Sequence, residues 1–410
     1  MAEEYLVGLD IGSSNVRVLI AHKGEDRKLE VVGKGQAPNK GCRRGNIVNV
    51  EATVEALKAA SEEAEVMAGI EIARAWVGIA GSDLRGVNAR SMVTVSRRDR
   101  EITVGDVRRV MEAARSAALP SDREILHAVP QEFIVDEQGG IAEPVGMLGS
   151  RLEVAVHLVT GNTTRTKTLL TCVNRAGIEV VEVVFEPLAN AEAVLTPDER
   201  ELGVLLIDIG HGGTQYALFQ DGEVQHSAVS PIGASHFTND LAMVLRTPFD
   251  AAEEIKRRQG CCLEQLISDD DGVEVPAVAG GAKRVVPKRE LCQILQPRAD
   301  ELLTLVREDL DKNGLDGALR GGVVLTGGGA QLDGLAEMSQ AIFGATVRYG
   351  LPTGLGGLVD VISSPVWSTA SGLLRYGLAT EQNQAQSRRR RVPSVRQLMG
   401  TLRGVFSDLL

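Results

Sequence analysis

Two loops carry the residues best placed to do chemistry: Asp10-Ile11-Gly12-Ser13-Ser14-Asn15 and Asp208-Ile209-Gly210-His211-Gly212-Gly213-Thr214. Their aspartates lie 198 residues apart (208 − 10), each just after an apolar run. Small residues in such turns let backbone N–H groups converge on an anion. A carboxylate beside them repels phosphate, so Asp10 and Asp208 are expected to face a metal–phosphate complex, holding Mg²⁺ through its bound water. Gly12, Ser13, Ser14 and Asn15, with Gly210, Gly212, Gly213 and Thr214, are then the phosphate cradle. Two such loops can clamp one Mg·nucleotide from both sides. A third element fits the same ligand. Val323-Val324-Leu325 reads as a strand, Thr326-Gly327-Gly328-Gly329-Ala330 as a tight turn, and Leu332 to Ile342 as a helix whose N-terminus stands beside the bound group.

The elements that must position these loops follow from periodicity. Tyr5 to Leu9 and Val204 to Ile207 read as buried strands, with Val16, Val18 and Ile20, or Tyr216 and Leu218, on the returning hairpin partners. Asn49 caps a helix with Val54, Leu57, Ala64 and Met67 at helical spacing, ended by Gly69. Trp76 to Gly81 reads as a core strand. From 83 to 160 the texture changes to an inserted α+β unit: a strand Arg90 to Ser96, a helix Val104 to Ala118, strands Glu124 to Pro130 and Phe133 to Asp136, and a strand Leu152 to Val159. Residues 235 to 313 read as a more helical, charged insert containing an Asp269-Asp270-Asp271-Gly272 turn. The plan is a doubled α/β domain with one insert per half.

Composition narrows the function classes. At 410 residues the chain is long enough for two lobes or more, and 43% apolar residues suffice for sizeable cores. Only 3% are aromatic and the net charge is −11, which argues against nucleic acid as a partner. No secretory signal pattern opens the chain and no apolar run reaches membrane-spanning length. Five scattered cysteines suit reduced thiols.

The C-terminal end is different in kind. Thr380 to Ser387 reads as a polar linker and Arg388 to Arg391 as a basic run. In 394–410, Val395, Leu398, Met399, Leu402, Val405, Phe406, Leu409 and Leu410 make one continuous helical face, flanked by Arg396 and Arg403. From 388 onward six arginines against one aspartate give +5, leaving −16 on the rest. This predicts an interfacial helix that binds anionic membrane lipid.

The two aspartate-glycine loops and the Thr-Gly-Gly-Gly turn resemble the actin, sugar-kinase and heat-shock-chaperone ATPase superfamily. Within it the chain is similar, almost end to end, to the FtsA family of bacterial division proteins. The segments that carry this are Gly41-Cys42-Arg43-Arg44-Gly45-Asn46-Ile47-Val48, Val129-Pro130-Gln131-Glu132-Phe133, Val156-His157-Leu158-Val159-Thr160, Glu199-Arg200-Glu201-Leu202-Gly203, Leu325 to Ala330 and the terminal amphipathic helix. The resemblance implies an actin-like ATPase fold of duplicated ribonuclease-H-like halves around a nucleotide cleft. It implies subdomain 1A at 1–82, 161–195 and 360–379, an inserted 1C at 83–160, 2A at 196–225 and 314–359, and 2B at 226–313. A basic linker at 380–393 and a membrane-targeting helix at 394–410 complete the plan.

It further implies ATP and Mg²⁺ as ligands and FtsZ, through its C-terminal tail, as partner of 2B. Self-assembly and later division proteins fall to 1C, and the location implied is the cytoplasmic face of the inner membrane at the septum. Glu253 and Lys256 sit where the superfamily contacts adenine and ribose, or are ordinary helix-surface charges. Glu186 resembles the position from which related ATPases place a water, or caps a helix. Gln215 replaces the second aspartate of the common Asp-x-Gly-Gly-Gly-Thr-x-Asp pattern, and an amide is a poor base, so hydrolysis is expected to be slow. Lys288, Arg289 and Arg298 form the basic candidate for the acidic FtsZ tail. The alternatives are a pilus-assembly protein of this fold and a small-molecule kinase of the superfamily.

Overall fold

The computed structural model describes residues 4–24, 28–97, 99–116, 120–267, 272–278 and 282–390. The amphipathic segment 394–410 and the three aspartates at 269–271 lie outside these residues.

Two sheets of like topology form the body. In the first, the order is Glu179–Phe185, Arg74–Ile79, Tyr5–Ile11, Asn15–Lys23, Leu29–Pro38, Leu355–Gly357. The second runs Val347–Tyr349, Gly322–Thr326, Val204–Ile209, Thr214–Gln220, Glu223–Ser230. Each opens with an antiparallel three-strand meander and extends by parallel strands beyond the first strand. Both faces of each sheet are covered, which is why the central strands are near-continuous apolar runs rather than alternating ones. The first sheet packs helix Val50–Ala68 and helix Thr163–Arg175 on one face and the long helix Ser368–Arg390 on the other. The second buries helices Ala234–Leu245, Lys288–Lys312 and Leu335–Phe343 on one side. Helix Glu186–Val194 lies between the halves: Ala189 joins the core under the first sheet, and Ala191, Ala193 and Val194 join the core under the second.

Local signals act as their chemistry requires. Asn49 accepts a hydrogen bond from the Ala52 N–H at 3.1 Å, and Gly69 closes the same helix in the left-handed region at φ 69°. A cap of this kind contributes about 1 kcal/mol. Met67 of that helix, expected on its buried stripe, is instead exposed.

The first insert is a four-stranded sheet, Arg85–Thr94, Arg151–Asn162, Arg123–Val135 and Gln138–Ile141, crossed by helix Val104–Arg115. The strands expected at Glu124 to Pro130 and Phe133 to Asp136 are one strand. It runs through Pro130, and the pairing with Arg151–Asn162 shifts register between Ala155 and Val156, a bulge that absorbs the missing N–H. The second insert holds helix Phe249–Gln259, a hairpin Gly272–Val275 with Arg284–Pro287, and the first part of helix Lys288–Lys312.

Two boundaries differ from expectation. The glycine turn after Gly322–Thr326 leads into a single 3₁₀ turn, Gly328–Gln331, and the α-helix begins only at Leu335 behind Gly334. The expected helix N-terminus is therefore displaced from the turn by this 3₁₀ segment. Residues 380–390, expected as linker, continue the helix that starts at Ser368, because their glutamine, alanine and arginine content favours it once nucleated.

Candidate functional site

The two aspartate loops and the glycine turn meet at one cleft of about 840 Å³ between the halves. The hairpin registers explain why. Asp10 pairs with Arg17 and Asp208 with Gln215, so in each half a carboxylate and a second polar side chain share one face of the strand ends. Asp10, Gly12, Ser13, Ser14, Asn15, Asp208, Gly210, Gly212 and Gly213 line the cleft, as do Gly327, Gly328, Gly329, Glu253, Lys256, Glu186 and Gln215.

Two expected members are turned away. Thr214 is one residue out of phase with Gln215, so its side chain enters the opposite face, fully buried, and its hydroxyl donates to the Ile232 carbonyl at 2.8 Å. Ala330, at the end of the 3₁₀ turn, packs into the core of the second half.

Glu186 opens helix Glu186–Val194, and its carboxylate accepts from Gln215 Nε2 at 2.6 Å. Four residues on, along the same helix face, Asn190 donates from Nδ2 to Asp208 Oδ2 at 2.7 Å and accepts at Oδ1 from the Thr369 hydroxyl at 3.0 Å. Arg17 Nη1 lies 3.4 Å from Asp10 Oδ2. Gly327, at φ 80°, is required: a Cβ there would stand 2.1 Å from Asp208 Oδ1.

Three nearly buried carboxyl groups thus face one space. Burial raises all three above their ordinary range. For Glu186 the Asp10 and Asp208 charges add to it, carrying the group well up. Asp208 is pushed up to about 6, burial and Asp10 prevailing over the Asn190 hydrogen bond. For Asp10, Arg17 opposes the burial. Such a set favours either protons or a cation. Its donors are hard oxygens, which suits Mg²⁺. Among the described residues no three His, Cys, Asp or Glu side chains converge closely enough to ligate an ion directly. A magnesium ion here would take Asp10 and Asp208 as orienting groups and complete its shell with water and ligand oxygens, as that ion prefers. Gln215 Oε1 is buried without a partner. Turning its amide over would let protonated Glu186 donate to Oε1 and would present Nε2 to the cleft.

At the other end, Lys256 donates from Nζ to Glu253 at 2.7 Å, Thr238 at 2.7 Å and the Ala234 carbonyl at 3.0 Å. Burial tends to raise the Glu253 carboxyl, but Lys256 and Thr238 hold it below its usual range. Lys256 is buried and Glu253 partly so, and the two are paired with each other rather than standing as free helix-surface charges.

The basic candidates on Lys288–Lys312 are differently placed. Arg298 forks onto Asp240 at 2.7 and 3.1 Å and also reaches Glu301, while Arg289 lies 3.3 Å from Glu264. Much of the positive charge expected there is balanced within the chain, by Asp240 of helix Ala234–Leu245, by Glu301 of the same helix and by Glu264.

Arg17, Arg44, Asn190 and Thr369 were not singled out from sequence. Arg17 had a signal, standing seven residues after its aspartate as Gln215 does. Asn190 had one too, one helical turn beyond Glu186. Thr369 meets Asn190 across 179 positions and had none.

The family model described as "Cell division protein FtsA" matches residues 205–372, and "SHS2 domain inserted in FTSA" matches 81–160, the four-stranded insert. Among solved structures, the PilM–PilN type IV pilus biogenesis complex superposes with TM-score 0.66 at 17% identity, covering 91% of this chain and 98% of that one. MreB 5 of Spiroplasma citri bound to AMPPNP gives 0.58 at 16% identity, covering 94% and 99%. These likenesses establish the actin-like fold. Cell division protein FtsA of Pseudomonas aeruginosa is 43% identical over 92% of this chain and 90% of its own length. The Escherichia coli K12 protein of that name is 36% identical over 95% and 94%, and the Bacillus subtilis one 37% over 93% and 86%. At that identity over nearly the whole length, the pilus-assembly and kinase alternatives give way, and the chain belongs to the FtsA family of cell-division proteins.

Proposed function

We propose that this chain is an ATP-binding adaptor of the division ring: it binds Mg·ATP in the cleft, self-assembles, holds FtsZ and tethers it to the cytoplasmic face of the inner membrane. The observation that carries the reading is the cleft itself, where two loops of small residues flank three buried carboxyl groups and Gly327 leaves room beside Asp208. Bound ATP would supply a triphosphate whose charge the metal balances. The protein's share is to cradle phosphates with the Gly12–Asn15 and Gly210–Gly213 backbone, and to orient the metal's water shell with Asp10 and Asp208. Hydrolysis is proposed to be slow, since the Gln215 amide is a poor base.

Among the described residues no helix is long and apolar enough to cross a membrane. Attachment is assigned to 394–410. Its net charge contributes at most about 1 kcal/mol per basic residue at an anionic surface, whereas each apolar side chain contributes roughly 1.5–3 kcal/mol if fully buried and less at an interface. Insertion of the apolar face dominates. Self-assembly and recruitment of later division proteins are assigned to the 83–160 insert, and FtsZ to the face around Lys288 and Arg289.

Co-sedimentation with anionic vesicles, with and without FtsZ filaments, tests this. The wild-type chain should carry FtsZ to lipid. Leu402→Glu with Phe406→Glu should release both even at low salt, while salt alone should weaken binding in part. Lys288→Glu with Arg289→Glu should lose FtsZ and keep lipid, and it spares the Arg298–Asp240 clamp. Vesicle binding by a chain lacking 394–410 would defeat the anchor assignment.

A further inference from the structure

The segment Gly41 to Val48 folds as a small hairpin, Cys42–Arg43 with Asn46–Ile47. Its tip is wedged at the mouth of the cleft between the two phosphate-facing loops. On one side the Gly45 N–H donates to Ser13 Oγ at 2.7 Å, and Ser13 Oγ also lies 3.5 Å from Cys42 Sγ. On the other side Gly212 approaches so closely that a Cβ on it would stand 2.7 Å from the Arg44 Cα and 2.8 Å from the Gly45 nitrogen. The hairpin therefore touches both halves where their anion-binding turns face each other.

The tip is also strained. Arg44 has φ 50°, a left-handed conformation that a long side chain adopts at a cost, and Gly45 follows at φ 74°. Strain of this kind persists where surrounding structure enforces it, and here it presents Arg44 to the cleft it lines. Arg17 has Asp10 and Lys256 has Glu253, but among the described residues no carboxylate lies within ion-pair distance of Arg44. A guanidinium left without a counter-charge on an acidic protein, beside two glycine- and serine-rich turns, is suited to a phosphate oxygen.

We propose that Arg44 is the residue that reads the terminal phosphate of a nucleoside triphosphate, so that the Cys42–Ile47 hairpin distinguishes triphosphate from diphosphate. This rests on the nucleotide reading of the cleft. The hairpin reaches the ligand from the mouth, across both loops, so its contact falls on the part of the phosphate chain that bridges them. A diphosphate leaves Arg44 without a partner.

The test is calorimetric titration of the full-length chain with a non-hydrolysable ATP analogue and with ADP, each with Mg²⁺. Arg44→Gly removes the side chain while accepting the left-handed backbone, so folding is preserved. It should weaken the triphosphate analogue by about 10- to 100-fold, the size of a lost charge-assisted hydrogen bond, and ADP by less than about twofold. Arg44→Lys should fall between the glycine variant and wild type. Equal losses for both nucleotides, or no loss for either, would overturn the assignment while leaving the cleft a nucleotide site. Failure of the wild-type chain to bind either nucleotide would overturn the nucleotide reading and this inference with it.

Discussion

The two cleft-lining hairpins share a register and differ in charge. In the first, Asp10 stands across from Arg17; in the second, Asp208 stands across from Gln215 and is held by Asn190. Arg17 is in contact with Asp10, whereas Asp208 is in contact with the Asn190 amide and feels Arg17 only at longer range. An amide donor lowers a buried carboxyl's affinity for protons less than a guanidinium does, so Asp208, at about 6, exchanges its proton close to neutrality. Duplication supplied two equal backbones, and four side chains made them unequal. Burial raises both aspartates, opposed at the first loop chiefly by a guanidinium and at the second chiefly by an amide.

The sharpest way to break this comparison is steric. Gly327→Ala places a Cβ 2.1 Å from Asp208 Oδ1 at φ 80°, and should cost about 3 kcal/mol or more in stability together with nucleotide binding. Gly12→Ala meets the Asn15 carbonyl at 2.9 Å without a left-handed φ and should be milder. Thermal melts with and without Mg·ATP check the order. Next, Asp10→Asn and Asp208→Asn should each weaken Mg·ATP by about 1–3 kcal/mol. Calorimetry that finds both unchanged would remove the two-loop clamp.

Protonation separates the loops further. The Asp208 pKa is raised on folding, so its contribution to stability is full below the unfolded value of 3.8 and is lost as pH rises through about 6. Ligand-free Asp208→Asn should therefore melt above wild type at pH 7.5, with the gap closing towards pH 4. Binding of Mg·ATP, which needs the carboxylate, should tighten from pH 5 to 7, and Asn190→Ala should move that midpoint upward. The smallest effect is expected from Arg17→Gln, which gives the first loop the chemistry of the second. It should raise the Asp10 pKa and broaden the pH range over which binding is weakened, read from the same titrations.

Much of this site was legible because it is built from local pattern. Asp10 and Asp208 end buried strands, and the small residues after them announce turns that any single-chain reading detects. What escaped depended on phase or on distance. Thr214 was grouped with the cradle by composition, but one step along a strand reverses a side chain's direction, and the register with Ile209 sends it inward. Arg298 looked like surplus positive charge until Asp240, 58 positions away, was brought beside it. The helix across 380–390 was missed because it carries no apolar stripe of its own and continues one that was already nucleated. The doubled α/β plan, with an insert in each half, was readable because each insert changes the strand–helix rhythm abruptly; its actin-like character came from the family resemblance.

Helix Ser368–Arg390 has a mechanical meaning. Its 23 residues span about 34 Å. It is pinned to the first half by Trp367, Ala370, Leu373 and Leu374 in the core, by the Tyr376 hydroxyl on Glu182 at 3.1 Å and by Lys23 on Glu381 at 2.8 Å. At its first turn Thr369 reaches, through Asn190, the strand end of the second half. Through Thr369, Asn190 and Asp208 a single chain of hydrogen bonds ties the helix anchored in the first half to the cleft-facing carboxylate of the second.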